Sequence, residues 1–311
     1  MTKSVYFTAA EGNSGTRPVV RAVIEQLTQD YPKLGLFRAF TNGPIETDVD
    51  FIDLLKLVGR EEDRDIAWGT TRQAYVRDEE AAMTDLVKRY TDYAENFDAV
   101  LILGLLDGDP VNPGMLARTG RAAANLATSV FVVVSGALRT PEQVVNLSHL
   151  ASREIQGENA PISAVAITSA EHRVEEEQSP LGEHPPIIYF YDGEAVELTD
   201  ADKAVVRGAM EHGSNVVTPL SFTASLISRA RAQRKRIVLP ESADERILAA
   251  ADELIRREVA DIILLGEADD VLARAAELGF DLSAAQIVSP TTPELVAKYA
   301  AEFARLREKK G

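Results

Sequence analysis

Apolar and polar positions fall in blocks along the first half of the chain, and the period changes from block to block. Short apolar segments at residues 4–8, 34–40, 100–103, 130–134 and 164–167 read as strands. The runs 100–103 and 130–134 are apolar at every position, which suits central strands buried on both faces of a parallel sheet. Between the strands lie helical stretches at 18–31, 50–58, 79–96, 113–126 and 141–156. In residues 79–96, Ala82, Leu86, Tyr90 and Tyr93 recur at helical spacing, marking one buried face. Pro18 suits a first helical turn, and Thr140 is placed to cap the helix that follows it. Strand and helix in alternation predict an α/β domain with a parallel sheet covered by helices.

The pattern changes after about residue 171. Residues 172–186 are acidic and carry prolines, with Glu175, Glu176 and Glu177 in a row, and read as a linker or surface loop. Residues 187–191, Asp192-Gly193 and 194–198 read as a β-hairpin, because Asp-Gly supplies the positive φ of a two-residue turn. A helix from Thr199 to Glu211 ends near Gly213, and Thr218-Pro219 opens another. Beyond it a strand at 236–239 stops at Pro240, and a polar turn leads into an amphipathic helix. A second strand (261–266), a second helix (268–278) and a basic final helix complete the chain, which contains no internal repeat.

At 311 residues the natural division is into two domains. Apolar content of 45% with 6% aromatic residues fits a globular α/β protein. No apolar run is long enough to cross a membrane, and the first residues enter a strand without the apolar stretch of a secretion signal. The chain contains no cysteine, which removes thiolate nucleophiles, thiolate metal sites and disulfides. These features predict a cytoplasmic protein without a membrane partner. The formal net charge of −16 argues against a nucleic-acid partner, since that binding relies on clustered Lys and Arg.

Candidate chemistry begins at the loop Glu11-Gly-Asn-Ser-Gly-Thr-Arg-Pro18, between the first strand and its helix. A phosphate-binding loop belongs there, because helix N–H groups point outward at that place. Gly12, Ser14, Gly15 and Thr16 are its candidate nucleotide-binding residues. The lysine expected of such a loop is absent, Arg17 is displaced by one position, and Pro18 removes a backbone donor. The strand 100–103 runs on into Gly104-Leu105-Leu106 with no adjacent carboxylate for magnesium, although Asp107 and Asp109 lie just beyond. The loop therefore reads as a degenerate, structural form of the motif.

Two basic patches stand out: Arg229-Ala-Arg-Ala-Gln-Arg-Lys-Arg236, and Arg305, Arg307, Lys309 and Lys310. Each can complement the carbonyl end of a helix or attract an anionic cofactor. None of the 4 histidines pairs with another at metal-ligand spacing, so no metal is expected. Glu241 after the strand could place a carboxylate at a strand's carboxyl end. Equally, Glu241 or Ser242 could cap the next helix.

Residues 218–311, above all Arg236-Ile-Val-Leu-Pro-Glu-Ser-Ala-Asp-Glu-Arg-Ile-Leu-Ala-Ala-Ala251, resemble the opening of the acyl-transfer domain of phosphate acetyltransferases. The first half resembles the dethiobiotin synthetase-like domain of the long forms of that family, a P-loop fold. That resemblance is carried by Val5-Tyr-Phe-Thr-Ala-Ala-Glu-Gly-Asn-Ser-Gly15, Gly35-Leu-Phe-Arg38, Phe97-Asp-Ala-Val100 and Arg139-Thr-Pro-Glu-Gln-Val144. It implies an α/β fold: a degenerate P-loop-like domain over 1–180, a linker with a hairpin over 181–217, and a partial phosphate acetyl/butyryltransferase domain over 218–311.

The activity implied is reversible acetyl transfer between coenzyme A and phosphate, with coenzyme A as substrate and no covalent enzyme intermediate. Acetyl-CoA, acetyl phosphate and phosphate are the implied partners, and the apolar surface that a partial half-sheet would leave uncovered predicts a homo-oligomer. The family's Leu-Arg-x-x-Lys-Gly pattern is matched by Leu306-Arg307-Glu308-Lys309-Lys310-Gly311, which gives Arg307 the role of binding coenzyme A or phosphate. The family's catalytic aspartate, its Ser-Arg pair and its other pocket arginines are expected outside this sequence, so no catalytic residue is assigned and the 311 residues alone are not expected to catalyse the transfer. A regulatory module that senses a nucleotide through Gly12–Gly15 is the alternative. An ATP-dependent ligase of the dethiobiotin synthetase type is a further rival, which the missing lysine disfavours.

Overall fold

The computed structural model describes residues 2–170, 185–191 and 196–308. The chain divides into two compact units, Met1–Ala224 and Ser225–Gly311. The first is built on a seven-stranded parallel sheet. β1 (Lys3–Ala9) lies at its centre, between β4 (Ala99–Leu103) and β5 (Ser129–Ser135). β2 (Leu34–Thr41) flanks β4, and β3 (Trp68–Thr71) closes that edge. β6 (Ile162–Ala170) and β7 (Ile187–Tyr191) complete the other side.

The continuous apolar runs lie where strands are covered on both faces. Every residue of β4 and β5 is buried. In β1, Phe7 pairs in register with Leu103 and Phe131, and the Phe7 and Phe131 rings pack with centroids 5.4 Å apart. α1 (Thr16–Asp30) buries Val19, Val20, Val23, Ile24 and Leu27, the i, i+3, i+4 stripe that a core-facing helix requires. α2 (Val49–Leu57) follows β2, capped by the Asp48 side chain accepting from the Phe51 N–H. α3 (Arg72–Arg77) follows β3, and α4 (Glu79–Ala94) buries Met83, Leu86, Val87, Tyr90 and Tyr93. α5 (Met115–Asn125) leads to β5, and α6 (Pro141–Gly157) begins at a capping box formed by Thr140 and Gln143, two orphan donors satisfied reciprocally.

Ile187–Tyr191, the expected first arm of a hairpin, instead pairs parallel to β6 as an edge strand. Val196–Leu198 forms no strand, and the Asp192-Gly193 turn lies outside the described residues. α7 (Asp200–Glu211), opened by a Thr199–Asp202 capping box, buries Val206, Ala209 and Met210 in the same core. α8 (Pro219–Ala232) carries the chain on into the second unit.

The second unit has a three-stranded parallel sheet in the order β10, β9, β8: Gln286–Val288, Ala260–Leu265 and Lys235–Leu239. α9 (Glu245–Arg256) and α10 (Ala268–Leu278) pack Leu248, Ala251, Val271 and Ala275 onto Ile262 and Leu264 of β9. α11 (Pro293–Arg307) contains no buried residue. Among the described residues no helix is long and apolar enough to cross a membrane.

Candidate functional site

From the central β1 the chain builds β2, β3 and β4 on one side, with β4 inserted between β1 and β2, and then crosses to build β5, β6 and β7 on the other side. At such a reversal the loops after the strands open a crevice at the carboxyl end of the sheet, where α/β folds hold ligands. The loops after β1 and β4 meet here. Gly12, Ser14 and Gly15 lie in the first of them and Thr16 opens α1, with Gly15 at φ 65° as the residue before the helix. A left-handed backbone there is free for glycine and costly for other residues.

One donor and two acceptors of this segment are engaged from within the protein. Arg17 N–H, in the first turn of α1, donates to Asp107 Oδ2 at 2.9 Å. Asp107 N–H donates to the Thr16 hydroxyl at 2.9 Å, and the Thr168 hydroxyl donates to the Ser14 carbonyl at 2.5 Å. The Arg17 guanidinium pairs with Asp50. Val111 lies so close to Gly12 that an added Cβ would stand 2.8 Å from its Cγ2. A helix amino end attracts negative charge through its free N–H groups and its dipole. Asp107 supplies that charge from the chain itself, which the sequence placed only as a carboxylate beyond the end of a strand.

Next to this loop lies a buried charge cluster. Arg38, 1% exposed inside β2, bonds Asp48 through Nε at 2.8 Å and both oxygens of Asp109 through Nη2 at 2.7 and 2.9 Å. Its Nη1 donates to the Gly104 carbonyl. Burial opposes the Arg38 charge, but Asp109 and Asp48 outweigh it and hold its pKa above the ordinary value. Burial likewise works against the Asp109 carboxylate, yet Arg38, the Leu106 N–H and Arg72 together hold its pKa below the ordinary value. Asn42 Nδ2 donates to Asp109 at 2.8 Å. Arg38, Asn42, Thr47, Asp48 and Asp109 contribute to the lining of a cavity of about 240 Å³.

In the second unit, Arg307 stands in the last turn of α11 with its guanidinium 5.0 Å from the Phe303 ring centroid. Arg305 beside it pairs with Glu302, and Lys309 and Lys310 lie outside the described residues. In the other basic patch, Arg231 Nε donates to the Arg257 carbonyl and Arg234 pairs with Asp261 at 2.8 Å. The cap of α9 is Asp244, whose carboxylate accepts from the Arg246 N–H at 2.9 Å. Ser242 instead donates to the Leu265 carbonyl at 2.5 Å, and Glu241 is exposed. His172 and His184 lie outside the described residues, among which no group of three or more His, Cys, Asp and Glu side chains could hold a metal ion. The sequence reading passed over the Arg38–Asp109 network. Its signal was a guanidinium in the middle of an otherwise apolar strand.

Residues 221–311 match the family model described as Phosphate acetyl/butaryl transferase. The phosphate acetyltransferase of Nitratidesulfovibrio vulgaris is 51% identical over 98 residues, 32% of this chain and 14% of that protein. That of Helicobacter pylori is 32% identical over 166 residues, covering 49% of this chain and 32% of its own length. The Thermoanaerobacterium thermosaccharolyticum enzyme is 44% identical over 92 residues, 30% of this chain and 27% of its own length. The chain thus spans less than a third of each of these relatives. Among solved structures, chloroplast FtsY from Physcomitrella patens is similar at a TM-score of 0.39 and 14% identity, over 66% of this chain and 64% of that one. A plasmid partition protein from Borrelia burgdorferi is similar at 0.41 and 14% identity, over 68% and 97%.

Proposed function

We propose that this chain belongs to a phosphate acetyltransferase, which moves an acetyl group reversibly between coenzyme A and phosphate. The observation that carries the reading is the family match over residues 221–311, with 51% identity to one such enzyme over 98 residues. In the forward direction a base removes the thiol proton of coenzyme A, and the thiolate forms a C–S bond to the acetyl phosphate carbonyl. The tetrahedral oxyanion then collapses and the C–O bond to phosphate breaks, giving acetyl-CoA. Cationic and N–H donors lower the barrier by stabilising the oxyanion and the departing phosphate.

Arg307 is proposed as a ligand of the coenzyme A or phosphate oxyanions. A guanidinium suits this role because its fork meets two oxygens at once, and the exposed Phe303 ring beneath it restrains it. No residue is assigned as the base. We place the reaction in the cytoplasm and propose a homo-oligomer, which the exposed Val296, Tyr299, Phe303 and Leu306 of α11 favour. Residues 1–180 are proposed as a P-loop-like domain without phosphoryl chemistry. The Asp107 carboxylate on the Arg17 N–H speaks against a nucleotide phosphate at Gly12, Ser14, Gly15 and Thr16.

Calorimetric titration of the folded chain with coenzyme A, alongside thioester formation from acetyl phosphate followed by absorbance, tests the reading. Saturable coenzyme A binding, weakened about tenfold or more in Arg307→Ala as expected for a lost charge-assisted pair, supports it. A folded chain that does not bind coenzyme A, or binds it equally well as Arg307→Ala, rules out the proposed role of this unit, whereas thioester formation would show that the chain also holds a base.

A further inference from the structure

The first unit holds a second constellation of charge that the acyl-transfer reading does not use. Three guanidiniums, Arg38, Arg72 and Arg118, act electrostatically on the Tyr6 hydroxyl, and Gly104, whose carbonyl Arg38 bonds, lies against the Tyr6 ring. The arginines arrive from β2, from the start of α3 and from α5, while Tyr6 lies in β1 and is fully buried. Arg38 is fully answered by Asp48, Asp109 and the Gly104 carbonyl. The other two are not.

Arg72 donates through Nη1 to the Pro110 carbonyl at 2.5 Å, and its Nη2 stands 3.5 Å from Asp109. Its Nε is buried without a hydrogen-bond partner, and burial lowers its pKa. Arg118 is 7% exposed, and its guanidinium lies 5.4 Å from the Phe40 ring and 5.5 Å from the Tyr75 ring. Its hydrogen-bond contact is a long 3.5 Å approach to Asn112 Oδ1. No carboxylate pairs with it among the described residues.

The Tyr6 hydroxyl also has no well-formed hydrogen bond. Burial pushes its pKa up to about 12 against the pull of the arginines and the neighbouring Thr119 hydroxyl, so it stays a neutral donor. Among the described residues the remaining buried side-chain atom without a partner is Asp107 Oδ1, of the carboxylate that accepts from Arg17 N–H.

Unanswered buried donors and cations are costly, since desolvation is not repaid by a partner. Here two donors and an aromatic-stacked guanidinium gather around one place, while Asp109 is already shared between Arg38 and Arg72. Stacking on Phe40 and Tyr75 holds Arg118 rigid, the arrangement that pre-organises a fork for planar or tetrahedral oxygens.

We propose that Tyr6, Arg72 and Arg118 form a binding site for one oxyanion group, the carboxylate or phosphate of a small molecule. The site is separate from the loop at Gly12–Thr16 and from Arg307, and it does not depend on the acyl-transfer reading. The anion accepts from the Tyr6 hydroxyl, from Arg72 Nε and from the guanidinium edge of Arg118. It supplies the negative charge that Arg118 lacks and that Arg72 shares only through Asp109 at 3.5 Å.

Equilibrium dialysis of the full chain against inorganic phosphate and against acetate, at constant ionic strength in chloride, tests this. Saturable binding of at least one is expected, with about tenfold weakening in Tyr6→Phe and in Arg72→Lys, the loss typical of a hydrogen bond to a charged group. Binding of phosphate alone identifies a phosphate-bearing ligand, of acetate alone a carboxylate, and of both the shared oxyanion. Tyr6→Phe removes a hydroxyl without a partner, so the apo protein should unfold at the same or higher temperature while its binding weakens. A merely structural Tyr6 would give the reverse. The proposal is overturned if neither anion saturates, or if binding survives both variants. It is overturned equally if binding is lost only in Arg307→Ala.

Discussion

The two units differ in how completely they satisfy themselves. The first buries every residue of β4 and β5, covers its sheet with helices, and encloses Arg38 at 1% exposure between two carboxylates. The second leaves β8 largely exposed and contains in α11 a helix with no buried residue at all. Yet the family match falls on the less buried unit, within residues 221–311. Depth of burial and recognisable chemistry are therefore separate properties here. A closed core can carry a degenerate loop, and an open one can carry the family match.

The sharpest way to break that comparison is to remove the buried cation. Arg38→Met leaves Asp48 without its buried cation and Asp109 with Arg72 alone, and should cost about 3–5 kcal/mol, read as a lower urea midpoint for the first unit. A loss no larger than that of a surface change would mean that water reaches the cluster and the contrast between the units is overstated.

A smaller effect should appear with acid. The folded-state pKa of Asp109 is depressed, so its stabilisation is present above the unfolded value of about 3.9 and lost as pH falls through the folded value. Thermal unfolding of the first unit should therefore shift downward below about pH 4. That shift should shrink in Asp109→Asn, and an equal slope in the variant would show that other carboxylates carry it. The smallest effect belongs to α11. Tyr299→Ser, at a residue 62% exposed, should change stability within about 0.5 kcal/mol, and a larger loss on melting would mean that the helix is covered in solution.

Two of the elements that sequence reading passed over or misplaced at the sheet edges show where local signals stop. β3 is only Trp68-Gly-Thr-Thr71, too short and polar for a periodic signal, and Gly69 reads as a break. In the fold it is a close approach, since a Cβ there would meet Leu86 and the Ala39 carbonyl. Missing β3 and α3 also hid Arg72 and Tyr75. β7 was drawn toward a hairpin by Asp192-Gly193, a local turn signal, whereas its pairing with β6 joins Val165 to Ile187.

The chain on its own determined the alternation of central strands and helices, because apolar runs and helical spacing report burial locally. It also determined the acyltransferase resemblance of residues 218–311, which rests on contiguous side chains, and the degeneracy of a loop that lacks its lysine. Tertiary structure alone decided that Asp107 reaches the Arg17 N–H across 90 positions, and that Tyr6, Arg72 and Arg118 share one neighbourhood. Charges separated in sequence meet only where parallel strands bring their ends together. Whether each finds a partner is settled by that packing, and the residue types alone are silent on it.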